Sequence, residues 1–171
     1  MLQVYTGNGK GKTTAALGVA LRATGHGMRV LFLQFMKEGG PLTSGESVAA
    51  ERLPQLHIEQ FGRSFIYEPK PSVEEVATRV RAGLQYGLEQ STSGECDLLV
   101  LDELNVVLAS EVIEIVEVTA FLDHLPEQVQ VIITGRGAPS ELRERASLVS
   151  EVAESKHPFR QGHSAVEGID Y

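Results

Sequence analysis

Short apolar runs alternate along the chain with longer stretches of helical character, and the runs are too continuous to be half-exposed strands of an antiparallel sheet. The first, Leu2 to Thr6, is β-prone and ends in the glycine cluster Gly7-Asn8-Gly9-Lys10-Gly11, after which Lys12 to Arg22, rich in alanine and leucine, predicts a helix. Gly25, His26 and Gly27 stop that helix. Arg29 to Phe35 follows as an apolar strand, which closes a βαβ unit. Between Lys37 and Pro54 the composition turns to Gly, Ser, Pro and Glu; within it Gly45 to Leu53 predicts one helix, and His57 to Phe61 beyond it predicts a third strand. Pro69-Lys70-Pro71-Ser72 signals a helix start, with Ser72 as N-cap and Glu75 completing a capping box, and the helix should run to about Gln90.

After the linker Ser91-Thr92-Ser93-Gly94, Asp97 to Glu103 reads as a strand whose carboxyl end carries two adjacent acids. Glu111 to His124 is rich in β-branched residues, yet its length and the strands on either side predict a crossover helix. Val129 to Thr134 is the next strand, Pro139-Ser140-Glu141 begins a helix to about Ala146, Leu148 to Val152 predicts a last short strand, and Lys156 to Tyr171 shows no periodicity. This alternation predicts an α/β fold, a doubly wound and mainly parallel sheet with helices on both faces.

The chain has 171 residues, 42% of them hydrophobic, enough for one domain spanning residues 1–171 with a core of ordinary size. Fifteen basic against 23 acidic residues give a net charge of −8. A broad attraction for nucleic acid or an anionic membrane is therefore not expected, and any phosphate must be bound locally. No apolar stretch is long enough to cross a bilayer, no signal-peptide plan is visible, and the lone Cys96 rules out an intramolecular disulfide framework. The expected setting is a reducing cytoplasm, with Cys96 packed rather than reactive.

The glycine cluster gains meaning from its place between a strand and a helix. Thr6-Gly7-Asn8-Gly9-Lys10-Gly11-Lys12-Thr13-Thr14 has the makings of a phosphate-binding P-loop: backbone N–H groups to cradle phosphate, Lys12 to reach the outer phosphates, and the Thr13 hydroxyl for Mg²⁺. Lys10 is a further candidate phosphate contact. The match departs from G-x-x-x-x-G-K-[ST] at its first position, where Thr6 stands in place of glycine. Asp102 and Glu103 would lie at the carboxyl edge of the sheet, where open α/β folds bind ligands, and resemble a Walker B pair able to supply oxygen to Mg²⁺. Arg136, in Thr134-Gly135-Arg136-Gly137 after the following strand, is placed to clamp a phosphate. The fold expectation sharpens to a P-loop NTPase-like, RecA-like architecture.

Together these blocks resemble the ATP:corrinoid adenosyltransferases of the CobA/CobO/BtuR type. The resemblance rests on Val4 to Thr14, Leu101-Asp102-Glu103-Leu104-Asn105, Thr134-Gly135-Arg136-Gly137-Ala138-Pro139, Lys156-His157-Pro158-Phe159 and Gly168-Ile169-Asp170-Tyr171. It implies transfer of the 5′-deoxyadenosyl group of ATP to the cobalt of a reduced corrinoid, with triphosphate released, in adenosylcobalamin biosynthesis or corrinoid salvage. It also implies a nucleotide lying reversed in the loop, and a mechanism without a general base, because Co(I) is itself the nucleophile. Gly7, Asn8, Gly9, Lys10, Gly11, Lys12, Thr13 and Thr14 would then hold ATP, with Lys12 and Arg136 stabilising the leaving triphosphate. Thr13, Asp102 and Glu103 would hold Mg²⁺.

The resemblance further implies an aromatic face that displaces the lower axial ligand of Co(II). Family members carry a Phe-x-Trp element there; Phe65 matches, and Tyr67 stands in place of tryptophan. Many relatives carry an N-terminal extension that helps cover the site, whereas this sequence begins directly on its first strand. A homodimer and an electron donor for Co(II) are the implied partners, while the corrinoid itself, whether cobalamin, cobinamide or cob(I)yrinic acid a,c-diamide, stays open. Two other readings remain at this point: a P-loop ATPase or small-molecule kinase, which would release ADP, and a non-catalytic ATP-binding sensor.

Overall fold

The computed structural model describes residues 1–38, 44–66, 68–156 and 166–169. In chain order the elements are β1 (Leu2–Thr6), α1 (Lys12–Gly25), β2 (Val30–Phe35), α2 (Gly45–Ala50), β3 (Leu56–Phe61), α3 (Val73–Thr92), β4 (Leu98–Asp102), α4 (Leu104–Ala109), α5 (Ile115–His124), β5 (Gln130–Thr134), α6 (Ser140–Arg145) and β6 (Leu148–Glu151). The six strands form one sheet in the order β3-β2-β4-β5-β1-β6. Every neighbouring pair is parallel, so all the carboxyl ends lie along one edge.

Both faces of the sheet are covered, and the pleat divides the strand residues between them. Leu31, Leu33, Phe35, Leu99, Leu101, Val131 and Ile133 point into a cluster shared with α3, α4, α5 and α6. Val30, Phe32, Leu98, Val100 and Ile132 point the other way, onto Ala16, Ala20 and Ala23 of α1. This period-two division is why β2 and β4 read as unbroken apolar runs. Each fully buried Leu, Ile or Phe contributes about 1.5–3 kcal/mol of transfer free energy. Helix α3 lies close on the sheet because a Cβ at Gly83 would meet the rings of Phe35 and Phe61 at 2.8 Å. Its start is the capping box expected: the Ser72 hydroxyl accepts from the Glu75 N–H, and the Glu75 carboxylate accepts from the Ser72 N–H.

The fold is the α/β architecture that the alternation predicts, a parallel sheet with helices on both faces. One region differs in detail. The crossover after β4 is two helices rather than one: α4 begins immediately beyond the strand, and α5 begins only at Ile115, with Glu114 and Glu117 forming its capping box. Backbone conformation explains the break, since Glu103 and Glu111 both take left-handed φ values, 64° and 54°, and turn the chain into and out of α4. The β-branched stretch at residues 112–116 thus straddles a turn and a helix start, with Val112 and Ile113 buried. Cys96 is 3% exposed, and burial pushes its thiol pKa up, as suits a packed cysteine.

Candidate functional site

The loop between β1 and α1 crosses the carboxyl edge of the sheet. Lys12 is the first residue of α1 and only 6% exposed; its ammonium donates to the Gly9 carbonyl at 2.6 Å, which folds the side chain back across the loop. Burial lowers its pKa, with the nearby Glu103 carboxylate pulling the other way. The loop leans against the chain that leaves β6. A Cβ on Gly7 or Gly9 would lie 2.5 Å from the Val152 or Ala153 carbonyl oxygen, and the Gly9 N–H donates to the Val152 carbonyl at 2.8 Å. Thr6, where the common pattern has glycine, is buried and employed: its hydroxyl accepts from the Ala138 N–H at 3.2 Å and ties the loop to the turn after β5.

Asp102, the last residue of β4, is fully buried, and four donors converge on it. Oδ1 accepts from the Thr13 hydroxyl at 2.8 Å and the Thr134 hydroxyl at 2.6 Å. Oδ2 accepts from the Lys37 ammonium at 2.9 Å and, more weakly, from the Gln34 amide at 3.4 Å. An ionised carboxylate can be held in such a place only with this degree of pairing. The Lys37 ammonium is also 4.0 Å from the Glu46 carboxylate on α2. Burial opposes the charge on Lys37, but the attraction and hydrogen bond of Asp102 outweigh it, and its pKa lies above that of an ordinary lysine. Gln34 extends the network sideways, donating to Glu46 and accepting from Gln60 of β3, both at 3.0 Å.

Glu103 is held differently. Its left-handed backbone is fixed by its N–H donating to the Thr134 hydroxyl at 3.0 Å, so Asp102 reaches Thr13 directly and Glu103 through Thr134. Its side chain lines the cleft. Burial first, and repulsion from Asp102 second, push the Glu103 pKa up. Glu103 and the Thr13 hydroxyl both line the cleft and are oxygen donors of the kind a hard cation takes.

These groups open onto a cleft of about 610 Å³. Its lining includes Gly9, Lys10, Gly11, Lys12, Thr13 and Thr14 of the loop, Lys37 and Glu46, and Glu103 and Arg136. Of the residues singled out from the loop, Gly7 and Asn8 stand outside this lining. Lys10 donates to the Ile169 carbonyl at 3.0 Å, which brings the segment at 168–169 over the mouth. Phe65 follows β3 and packs, half-buried, against the main core cluster; its neighbour Ile66 is strongly exposed. Tyr67, His157, His163, Asp170 and Tyr171 lie outside the described residues. Among the described residues no group of three or more His, Cys, Asp or Glu side chains forms a metal cluster.

A family model described as ATP:corrinoid adenosyltransferase BtuR/CobO/CobP matches residues 1–171. The chain belongs to this adenosyltransferase family. It is 34% identical over 172 residues to the corrinoid adenosyltransferase of Pseudomonas aeruginosa, spanning 100% of this chain and 83% of that relative. It is 38% identical over 169 residues to the corrinoid adenosyltransferase of Escherichia coli K12 and equally to CobA of Salmonella typhimurium, spanning 98% of this chain and 84% of each relative. Among solved structures, domain III of the Thermotoga maritima replication initiation protein DnaA aligns with 94% of this chain and 57% of its own, at 13% identity and a TM-score of 0.45.

Sequence reasoning singled out the glycine loop, the acidic pair and the arginine turn, which the structure brings to one cleft, but not the polar side chains that join them. Lys37, Gln34 and Thr134 were missed as partners of Asp102, and Glu46 as a partner of Lys37 and Gln34. Gln34 carried a usable signal: a lone amide within an apolar strand covered on both faces must find hydrogen bonds inside the protein. Lys37 and Glu46 carried none, because their meeting depends on the path of the chain between β2 and α2.

Proposed function

We propose that this chain binds ATP across the cleft and presents its C5′ to the cobalt of a reduced corrinoid. Adenosyl transfer from ATP to a corrinoid is the activity of the family. In the step, the Co(I) electron pair forms the cobalt–carbon bond, the C5′–oxygen bond breaks, and triphosphate leaves with that bond's electrons. Cobalt ends formally as Co(III). No proton needs to move. The protein's task is alignment of the two substrates and stabilisation of the departing charge. Lys12 and Arg136 are the cations read as serving the latter, and Lys10 and the backbone N–H groups of the loop are read as further phosphate donors.

Magnesium fits the residues present. Thr13 and Glu103 would hold it, and Asp102, with its acceptor positions in use, would orient Thr13 and, through Thr134, the backbone of Glu103. When bound, the ion would neutralise triphosphate charge. Phe65 and Tyr67 are read as the aromatic side of the corrinoid site, a reading supported by the exposed Ile66 beside Phe65. Residues 1–171 are read as one catalytic domain, acting in the cytoplasm as a homodimer and served by a separate electron donor; no helix among the described residues is long and apolar enough to cross a membrane.

The observation that carries this reading is the 2.8 Å bond between Thr13 of the P-loop and Asp102 at the end of β4, which joins the two nucleotide-binding motifs into one site. The test is an anaerobic assay with Mg-ATP and chemically reduced cob(I)alamin, following loss of the Co(I) absorption band and identifying the phosphate product. Adenosylcobalamin with triphosphate is expected. Release of ADP would point to a kinase or ATPase, and ATP binding without corrinoid turnover to a sensor.

A further inference from the structure

The exit of β2 is built in a way that catalysis by the P-loop alone does not require. Met36, the residue after the strand, takes a left-handed φ of 58°, a conformation uncommon for a side chain with a Cβ. Its N–H still donates to the Phe61 carbonyl of β3 at 2.9 Å, so the turn is locked to the sheet. The next two side chains then diverge along the sheet edge. Since β2 lies between β4 and β3, one reaches each way.

Lys37 reaches towards β4 and places its ammonium 2.9 Å from Asp102 Oδ2, the carboxylate that holds Thr13. Glu38 reaches towards β3 and takes hold of Gly62, the first residue of the loop that carries Phe65. The Glu38 N–H donates to the Gly62 carbonyl at 3.0 Å, and Glu38 Oε2 accepts from the Gly62 N–H at 2.8 Å. Both backbone groups of Gly62 are therefore held by one residue. Arg79 of α3 fixes Glu38 in turn with a two-pronged contact, Nε to Oε2 at 2.9 Å and Nη2 to Oε1 at 2.8 Å, while its guanidinium stands 5.4 Å from the centroid of the Phe61 ring.

We infer that Lys37 and Glu38 are positioning residues that act as one joint, setting the placement of the Phe65 loop relative to the nucleotide cleft. The inference rests on the reading of that loop as the corrinoid side of the site. An alkyl transfer between two bound substrates depends on the approach of cobalt to C5′, and a displacement of about 1 Å is enough to cost up to about a hundredfold in rate. The two strand spacings from β4 to β3 place the loop about 10 Å from Asp102 along the edge. The joint spans that interval with two consecutive residues.

The test measures kcat with chemically supplied cob(I)alamin and, separately, the equilibrium affinity for Mg-ATP in the full chain. Glu38→Leu, which removes the carboxylate that holds the Gly62 N–H and Arg79 but leaves the backbone bond to the Gly62 carbonyl, is expected to lower kcat about ten- to a hundredfold while the Mg-ATP dissociation constant stays within about twofold. Glu38→Gln retains an acceptor for the Gly62 N–H and should recover part of the loss. Arg79→Met reports on the same clamp from α3 should Glu38→Leu fold poorly. Lys37→Met should lower kcat too, and the Lys37→Met/Glu38→Leu pair should lose less than the product of the single losses, as parts of one device do. Unchanged kcat in Glu38→Leu and Arg79→Met, a parallel loss of ATP affinity in those two, or losses that multiply in the double variant would overturn the joint. Phe65→Ala separates the two claims. If it alone is impaired, the joint fails and the aromatic reading stands; if it is unimpaired while the Glu38 variants lose kcat, the aromatic reading fails and the joint stands.

Discussion

The two ends of the site are held by opposite kinds of interaction. At the nucleotide end, Asp102 is wholly buried and receives four donors from three segments, and Thr6, Thr13 and Thr134 are spent on fixing backbone and carboxylates. At the aromatic end, the loop after β3 hangs from Glu38 and Arg79, whose side chains are 40% and 46% exposed. Removing a member of a buried network leaves a charge without solvent, whereas an exposed ion pair contributes little to stability because water replaces it. The contrast suits the two ligands of the proposed function: a triphosphate would be bound by donors already in place, and a bulky corrinoid would need a surface that can be aligned.

The largest expected effect tests the nucleotide end. Lys12→Ala should lower adenosyl transfer at least about a hundredfold while far-ultraviolet circular dichroism stays native, since Lys12 is the buried cation proposed to stabilise the leaving charge. Near-normal turnover would remove the P-loop assignment and with it the contrast. Asp102→Ala comes next. It strands Lys37 and the two threonine hydroxyls, and chemical denaturation should show a loss of about 2–3 kcal/mol; a loss no larger than that of an exposed pair would mean the two ends are held alike.

Phe65→Ala probes the other end and should slow reaction starting from Co(II) about tenfold more than reaction from supplied Co(I), as expected of a side chain that helps to displace an axial ligand. Equal losses in both assays would argue against that role. The smallest effect is in stability. The Glu103 pKa is raised above the ordinary 4.5, chiefly by burial, so the folded state binds that proton more tightly than the unfolded state. Stability therefore falls as pH rises from the ordinary value through the raised one. Glu103→Gln should abolish this dependence and raise the melting temperature by about 1–4 °C near neutral pH, while the Mg²⁺-dependent activity is lost. A lower melting temperature in that variant would show Glu103 to be a structural partner instead.

Legibility in the sequence followed the same division. The parallel sheet could be read because strands covered on both faces must be apolar throughout, and the P-loop because its glycines and lysine are adjacent in the chain. Asp102 and Glu103 could be read as a pair at a strand end, though not as two residues with different duties. That difference arises from the left-handed turn at Glu103 and from Thr134, a residue of another strand. The short helix α4 was hidden because Leu104 to Ala109 continues the apolar composition of β4, and only the conformation of Glu103 separates the two. Lys37 and Glu38 were unreadable for a related reason: adjacent charges in a loop acquire separate targets only when the backbone at Met36 turns them apart.

The close approach of the phosphate loop to the chain leaving β6 has a bearing on how mutagenesis of the motif would be read. Gly7 and Gly9 lack side chains because a carbonyl of residues 152–153 already occupies the space, and the Gly9 N–H is spoken for by Val152. Replacing either glycine would prise the sheet's edge strand from the loop before any nucleotide was involved. Inactivity in such a variant would thus diagnose a dislodged edge rather than a lost phosphate contact, and these two positions, however prominent in the motif, are the wrong places to ask what the loop binds.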